Sequence, residues 1–183
     1  MRWGAGIRPS FRVLPVTSLY ELAGYSLGQG LITIHQDTVS SAVWPAANLA
    51  FYVPFPLEQP MRVITTSVQN GTAVAGTLEV GVYAEDARLL ATTGAVTQAG
   101  VSQPQTIPLG APILLGRGLF YMALLASSGA ATVLKWSGGG FSTDWIGIGV
   151  AQEATGGTLP ATATFASLTV AYIPYFSLHA LTP

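Results

Sequence analysis

The chain has 183 residues, with 7 Lys and Arg against 8 Asp and Glu and a formal net charge of −1; that balance argues against a nucleic-acid binder, which carries a basic face. Cysteine is absent, which excludes a disulfide framework, a thiolate metal site and a thiol nucleophile. Charged residues make up only 8% of the sequence and hydrophobic ones 50%, against roughly 25% charged in an ordinary soluble domain.

In chain order, residues 1–17 contain Gly4, Gly6, Pro9 and Pro15 and no sustained period, so they read as an extended arm. Arg2, Arg8 and Arg12 precede any acid and alternate with Trp3, Ile7 and Phe11, which makes this arm a candidate partner-binding segment for an acidic protein surface; a frayed terminus is the competing reading. Ser18-Leu-Tyr-Glu21 has the spacing of a capping box, the Ser18 hydroxyl accepting from the Glu21 amide, and predicts a helix of one or two turns stopped by Gly24. The arm and this helix occupy residues 1–30, with the folded domain over 31–183. The first residues lack the continuous apolar core of a secretory signal, so a chain made in the cytoplasm is expected.

Strand signals follow. Short strands are predicted at Leu31–His35 and Leu49–Val53, and a β-branched one over Met61–Val68 ends at Asn70-Gly71, read as a two-residue hairpin turn. Thr77–Tyr83 alternates, with Leu78, Val80 and Val82 on one face and Thr77, Glu79 and Gly81 on the other. Glu85-Asp86 turns into Arg88–Thr92, and Thr106-Ile107 and Ile113–Leu115 read as two short pieces. The uncharged run Gly118–Leu134 approaches membrane-spanning length, but Arg117 and Lys135 close it and Ser127-Ser128-Gly129 cuts it. Two strands joined by a turn fit it better. Further strands are expected at Thr132–Trp136, Trp145–Val150, Leu168–Ile173 and Tyr175–Leu178. Nine to eleven short strands without a long helix predict an all-β fold, an antiparallel β-sandwich that is jelly-roll-like, with an extended N-terminal arm.

Chemistry is sparse. His35 and His179 stand apart, and His35-Gln-Asp37 supplies at most two ligands of the four that a zinc site needs. Glu85-Asp86 could offer calcium two carboxylates, although a side-chain turn bond from Asp86, with Arg88 offsetting its charge, explains the pair more simply. No Gly-x-Ser-x-Gly elbow or phosphate-binding glycine motif occurs, and neither histidine has an evident serine partner in the sequence. Asn70-Gly-Thr72 matches a glycosylation sequon, which the expected turn also explains. Trp136 and Trp145 flank a glycine-rich loop containing Asp144, a candidate glycan-binding platform in which rings stack on a sugar and the carboxylate takes its hydroxyls; core packing of both tryptophans competes with that reading. Neither a cofactor nor a metal is expected, and an enzyme is not.

Gly76-Thr-Leu-Glu-Val-Gly-Val-Tyr83, the hairpin Glu85–Gly94, and Leu109–Leu115 leading into Gly118–Leu124 resemble small β-sandwich virion structural proteins of tailed bacteriophages, found as head decoration (cement) proteins, head fibres and tail-fibre tips. The match covers under a third of the chain and departs from the usual turn at Ala87, where glycine is customary. The resemblance implies a non-enzymatic viral protein located in the virion, a capsid decoration protein binding neighbouring capsid subunits, with a homo-oligomer, a trimer above all, as its working form. The alternative it allows is a carbohydrate-recognising receptor-binding or fibre domain. Composition agrees: with so few charges, a small domain should expose apolar faces, and large apolar patches usually mark interfaces, unless a hydroxyl-rich skin replaces them.

Overall fold

The computed structural model describes residues 39–136, 150–170 and 172–181. The arm, the capping-box helix, Leu31–His35 and Trp145–Gly149 lie outside the described residues. Within them the chain is all-β: β1 (Val39–Val43), β2 (Leu49–Leu57), β3 (Met61–Gln69), β4 (Thr77–Ala84), β5 (Leu89–Thr92), β6 (Val96–Thr97), β7 (Pro104–Leu115), β8 (Gly118–Ala126), β9 (Thr132–Trp136), β10 (Ala151–Ala154), β11 (Ala166–Ser167), β12 (Ile173–Pro174) and β13 (Phe176–Leu181).

One layer is a sheet in the order β11-β10-β2-β8-β4-β5, with β6 also on β4. The other layer joins two three-stranded sheets, β1-β9-β12 and β13-β3-β7. They continue one another through backbone bonds from Gly71 N to Thr132 O (2.9 Å), Tyr175 N to Leu134 O (2.7 Å) and Gln69 N to Tyr175 O (3.1 Å). β12 and β13 are thus one chain segment bent at Tyr175, lying on β9 with its first half and on β3 with its second. All the strand pairs are antiparallel, and the two layers pack face to face as a β-sandwich.

Side-chain alternation fills the space between the layers. Phe51, Val53, Phe55 and Leu57 of β2, Leu78, Val80 and Val82 of β4, and Met122 and Leu124 of β8 face Val63, Val68, Leu115, Val133, Phe176 and Leu178. Trp44 sits at one end of this core, 1% exposed, its rings edge-on to Phe51 (5.2 Å) and Tyr172 (5.3 Å), while its Nε1 donates to Leu49 O at 2.9 Å. Each large apolar side chain buried this way contributes about 1.5–3 kcal/mol.

β8 pairs with β2 on one side and β4 on the other, the mid-sheet position its apolar faces predict. The run Gly118–Leu134 is indeed two strands and a turn, β8 in one layer and β9 in the other. Among the described residues no helix is long and apolar enough to cross a membrane. Pro54 and Pro56 lie inside β2, beyond the stretch where β10 covers it. There the missing N–H groups leave no ladder bond unmade.

Three expectations need correction. Asn70-Gly71 is not a hairpin turn: β3 and β4 are joined by residues 70–76, and neither Asn70 nor Gly71 has the positive φ such a turn requires. Gly71 serves close approach instead, since a Cβ there would meet Ser41 Oγ and come within 2.5 Å of Thr132 Oγ1. The pieces at Thr106-Ile107 and Ile113–Leu115 are one strand, β7, arched over Leu109–Pro112 where its register on β3 shifts. Leu168–Val170 is not strand, and β12 begins only at Ile173.

Candidate functional site

Of the candidate site residues, Arg2, Trp3, Ile7, Arg8, Phe11, Arg12, Asp144 and Trp145 lie outside the described residues, as do His35 and Asp37. Trp136 closes β9, its backbone opposite Val39 and Ile173.

The described charges are distributed unevenly. The turns after β2, β4 and β7 meet at one end of the sandwich, since Leu57 pairs with Gly118 and Ala84 with Phe120. Glu58, Arg62, Glu85, Asp86, Arg88 and Arg117 all sit at this pole, including the exposed pairs Arg88–Asp86 and Arg117–Glu58, both at 3.8 Å. Such pairs are worth little in stability, but they mark a hydrated end. The opposite pole is built from residues 44–48, 70–76, 98–103, 127–131 and 155–158, and these contain no Asp, Glu, Lys or Arg. Its exposed residues include Pro45, Ala46, Ala47, Ala73, Ala99, Val101 and Ala130.

Composition alone predicts exposed apolar faces. Among the described residues only Val43 (60%), Val101 (52%) and Leu114 (70%) are large hydrophobics left exposed. Ala, Pro, Gly, Ser and Thr replace the missing charges elsewhere. Val43 and Val101 belong to the uncharged pole, Val43 pairing with Thr132 at the start of β9.

Buried amides lock the loops of that pole together. Asn70 (1% exposed) donates through Nδ2 to Ala99 O at 2.6 Å and Gln105 Oε1 at 3.2 Å. Gln98 (3% exposed) donates to Asn70 Oδ1 and Thr132 O, both at 2.9 Å, and accepts from Ala75 N at 2.9 Å. Thr132 Oγ1 donates to Ala73 O at 2.7 Å and accepts from Ala73 N at 2.8 Å. Satisfied networks of this kind rigidify what they connect. They also explain Asn70 better than either a turn or a glycan acceptor does, because its amide is spent internally.

The outer face of β4 is not open to solvent as simple alternation suggests. Residues 155–165 cross it as a strap, and Leu159, Ala163 and Phe165 pack there on Tyr52, Tyr83, Tyr121 and Leu125. Gly81 leaves the space Leu159 needs, its would-be Cβ lying 2.6 Å from Leu159 Cδ1. Glu79, 5% exposed, accepts from Thr92 Oγ1 at 2.6 Å and Leu159 N at 3.0 Å. Glu153 accepts from Tyr52 Oη at 3.1 Å and Thr164 N at 2.9 Å, and Tyr83 Oη donates to Pro160 O at 2.8 Å. Burial, reinforced by its neighbours Tyr83 and Glu153, pushes the Tyr52 phenol well above the ordinary tyrosine value; burial does the same for Tyr83 and for Tyr172. Both carboxylates hold the strap down, which is a structural use.

His179 does have serine neighbours, contrary to the sequence reading: Nε2 lies 2.7 Å from Ser67 Oγ and 3.5 Å from Ser177 Oγ. The strand pairing of β13 with β3 creates this contact across 112 residues, which no sequence spacing signals. Ser67 is 8% exposed and also shares a bond with Thr106 Oγ1 at 3.0 Å. At the Glu85-Asp86 turn, Asp86 Oδ1 accepts from Arg88 N at 3.2 Å, and Ala87 takes φ of 68°, the left-handed conformation for which glycine is customary. Among the described residues no three His, Asp or Glu side chains gather as metal ligands. No protein-family model, no curated protein and no solved structure matches the chain.

Proposed function

We propose that this protein is a non-enzymatic structural component of a virus particle, a decoration-type β-sandwich that binds neighbouring capsid subunits. What supports the reading is the charge segregation: among the described residues, six of the nine ionic side chains sit at one pole, and the five loops of the opposite pole carry none. That composition suits contact with other polypeptides better than contact with charged small substrates. The resemblance of residues 76–125 to phage β-sandwich proteins supplies the class of assembly. Binding works by removing small apolar side chains from water, at about 25 cal/mol per Å², with the basic arm around Arg2, Arg8 and Arg12 adding attraction to an acidic neighbour.

The test is sedimentation of the full chain with particles that lack it. The protein pellets with the particles, and a chain without residues 1–17 pellets less, the more so as salt rises, because screening weakens the arm's charges. Full-length protein that stays in the supernatant at every ratio ends this reading.

A further inference from the structure

We propose that the uncharged pole is the surface through which one copy of this chain packs on another. This deepens the assembly reading and rests on it. Around a rotation axis identical residues approach one another, so any ionised group near the axis meets a like charge on its own copy. A foreign partner imposes no such ban, because it can carry the opposite sign. A pole with no ionic side chain in any of five loops avoids that clash wherever the axis passes through it. The opposite pole, with three acids and three arginines, does not.

Two further observations agree. Val43 and Val101, both more than half exposed, lie at this pole and supply apolar area for a copy to cover. The loops are also held by buried amides, Gln98 bonding both Asn70 and Thr132, so little conformational freedom is lost on contact. Five strands at about 4.8 Å spacing and two layers about 10 Å apart make an end of about 500–600 Å² once side chains are added. Two copies then bury about 1,000–1,200 Å², the low end for specific complexes. Contacts of that size belong to the weak, concentration-dependent class.

The experiment is sedimentation velocity on the full chain from about 2 to 200 µM, the span that brackets such affinities. The chain shifts from monomer to oligomer as concentration rises. Val101→Glu and Ala46→Glu each weaken association at least about tenfold by placing like charges together, while Gln59→Glu, at the charged pole, leaves it unchanged. All three positions are exposed, and circular dichroism with a melt confirms that each variant is folded. A chain that stays monomeric throughout, or one whose association survives both pole variants, overturns the proposal. Particle sedimentation separates the two readings. A monomeric chain that still pellets with particles overturns self-packing alone, and one that associates but never binds particles overturns the virion reading alone.

Discussion

Replacing Gly71 with alanine tests whether the uncharged pole is as closely packed as its geometry implies. The added Cβ meets Ser41 Oγ and sits 2.5 Å from Thr132 Oγ1 and 2.9 Å from Thr132 Cβ. None of these atoms is free to retreat. Ser41 Oγ accepts from Thr72 N, and Thr132 Oγ1 is bonded on both sides to Ala73. Thr132 O meanwhile holds Gly71 N at 2.9 Å and Gln98 Nε2 at 2.9 Å. Overpacking costs about 1–3 kcal/mol, and each disrupted hydrogen bond adds about 1 kcal/mol. The sum, about 3 kcal/mol, corresponds to a fall in melting temperature of about 6–12 °C for a chain of this size. Thermal unfolding followed by circular dichroism measures it, with Gly156→Ala as the control, since nothing lies within 4 Å of a Cβ there. If Gly71→Ala melts with the parent protein, the pole is not close-packed and the argument from its rigidity collapses.

Other outcomes follow from the same structure. Gln98→Ala removes a buried amide that makes three hydrogen bonds and should cost about 3–5 kcal/mol in urea unfolding; a loss below about 1 kcal/mol contradicts the network. Ala87→Gly relieves the left-handed backbone at φ of 68°, and after glycine's added chain entropy it stabilises by about 0.5–1 kcal/mol, raising the melting temperature. Tyr52, Tyr83 and Tyr172 have phenol pKa values raised by burial. Their stabilisation is therefore complete below the unfolded tyrosine pKa near 10 and lost as pH rises above it. At pH 11 the three together cost about 4 kcal/mol, so the tyrosinate absorbance of these three, of the seven tyrosines in the chain, should appear only together with loss of β structure. Titration of all seven near pH 10 with the fold intact contradicts their burial.

Much of the fold is legible in the sequence where strand signals are local. Met61–Val68, Thr77–Tyr83 and Thr132–Trp136 carry β-branched or alternating residues and match β3, β4 and β9 almost to the residue. β10, Ala151-Gln-Glu-Ala154, has no β-branched residue and is strand only because β2 pairs with it from 100 residues away. β7 contains Pro108 and Pro112, which an edge strand tolerates, so its two apolar pieces look separate in sequence. Asn70-Gly71 misleads because its side chain, not its backbone, dictates the site: a buried amide looks identical to a turn amide in sequence. The polarity of the charges is invisible too, since Glu58, Glu85 and Arg117 come to one pole only once three separate turns converge. Low charge content alone suggests greasy faces, whereas small uncharged residues cover most of the described surface.

The bent segment Ile173–Leu181 occupies an interior place in its layer, between β9 and β3, although it is the last strand segment of the described chain. During synthesis, β3 and β9 must therefore wait for residues made more than a hundred and about forty positions later, respectively. Until then each presents an unpaired edge beside an incomplete core, the state in which nascent β-proteins are prone to mispairing. The layer is consequently complete only once this segment has emerged from the ribosome, and Phe176 and Leu178 then fill the core beneath the gap it closes.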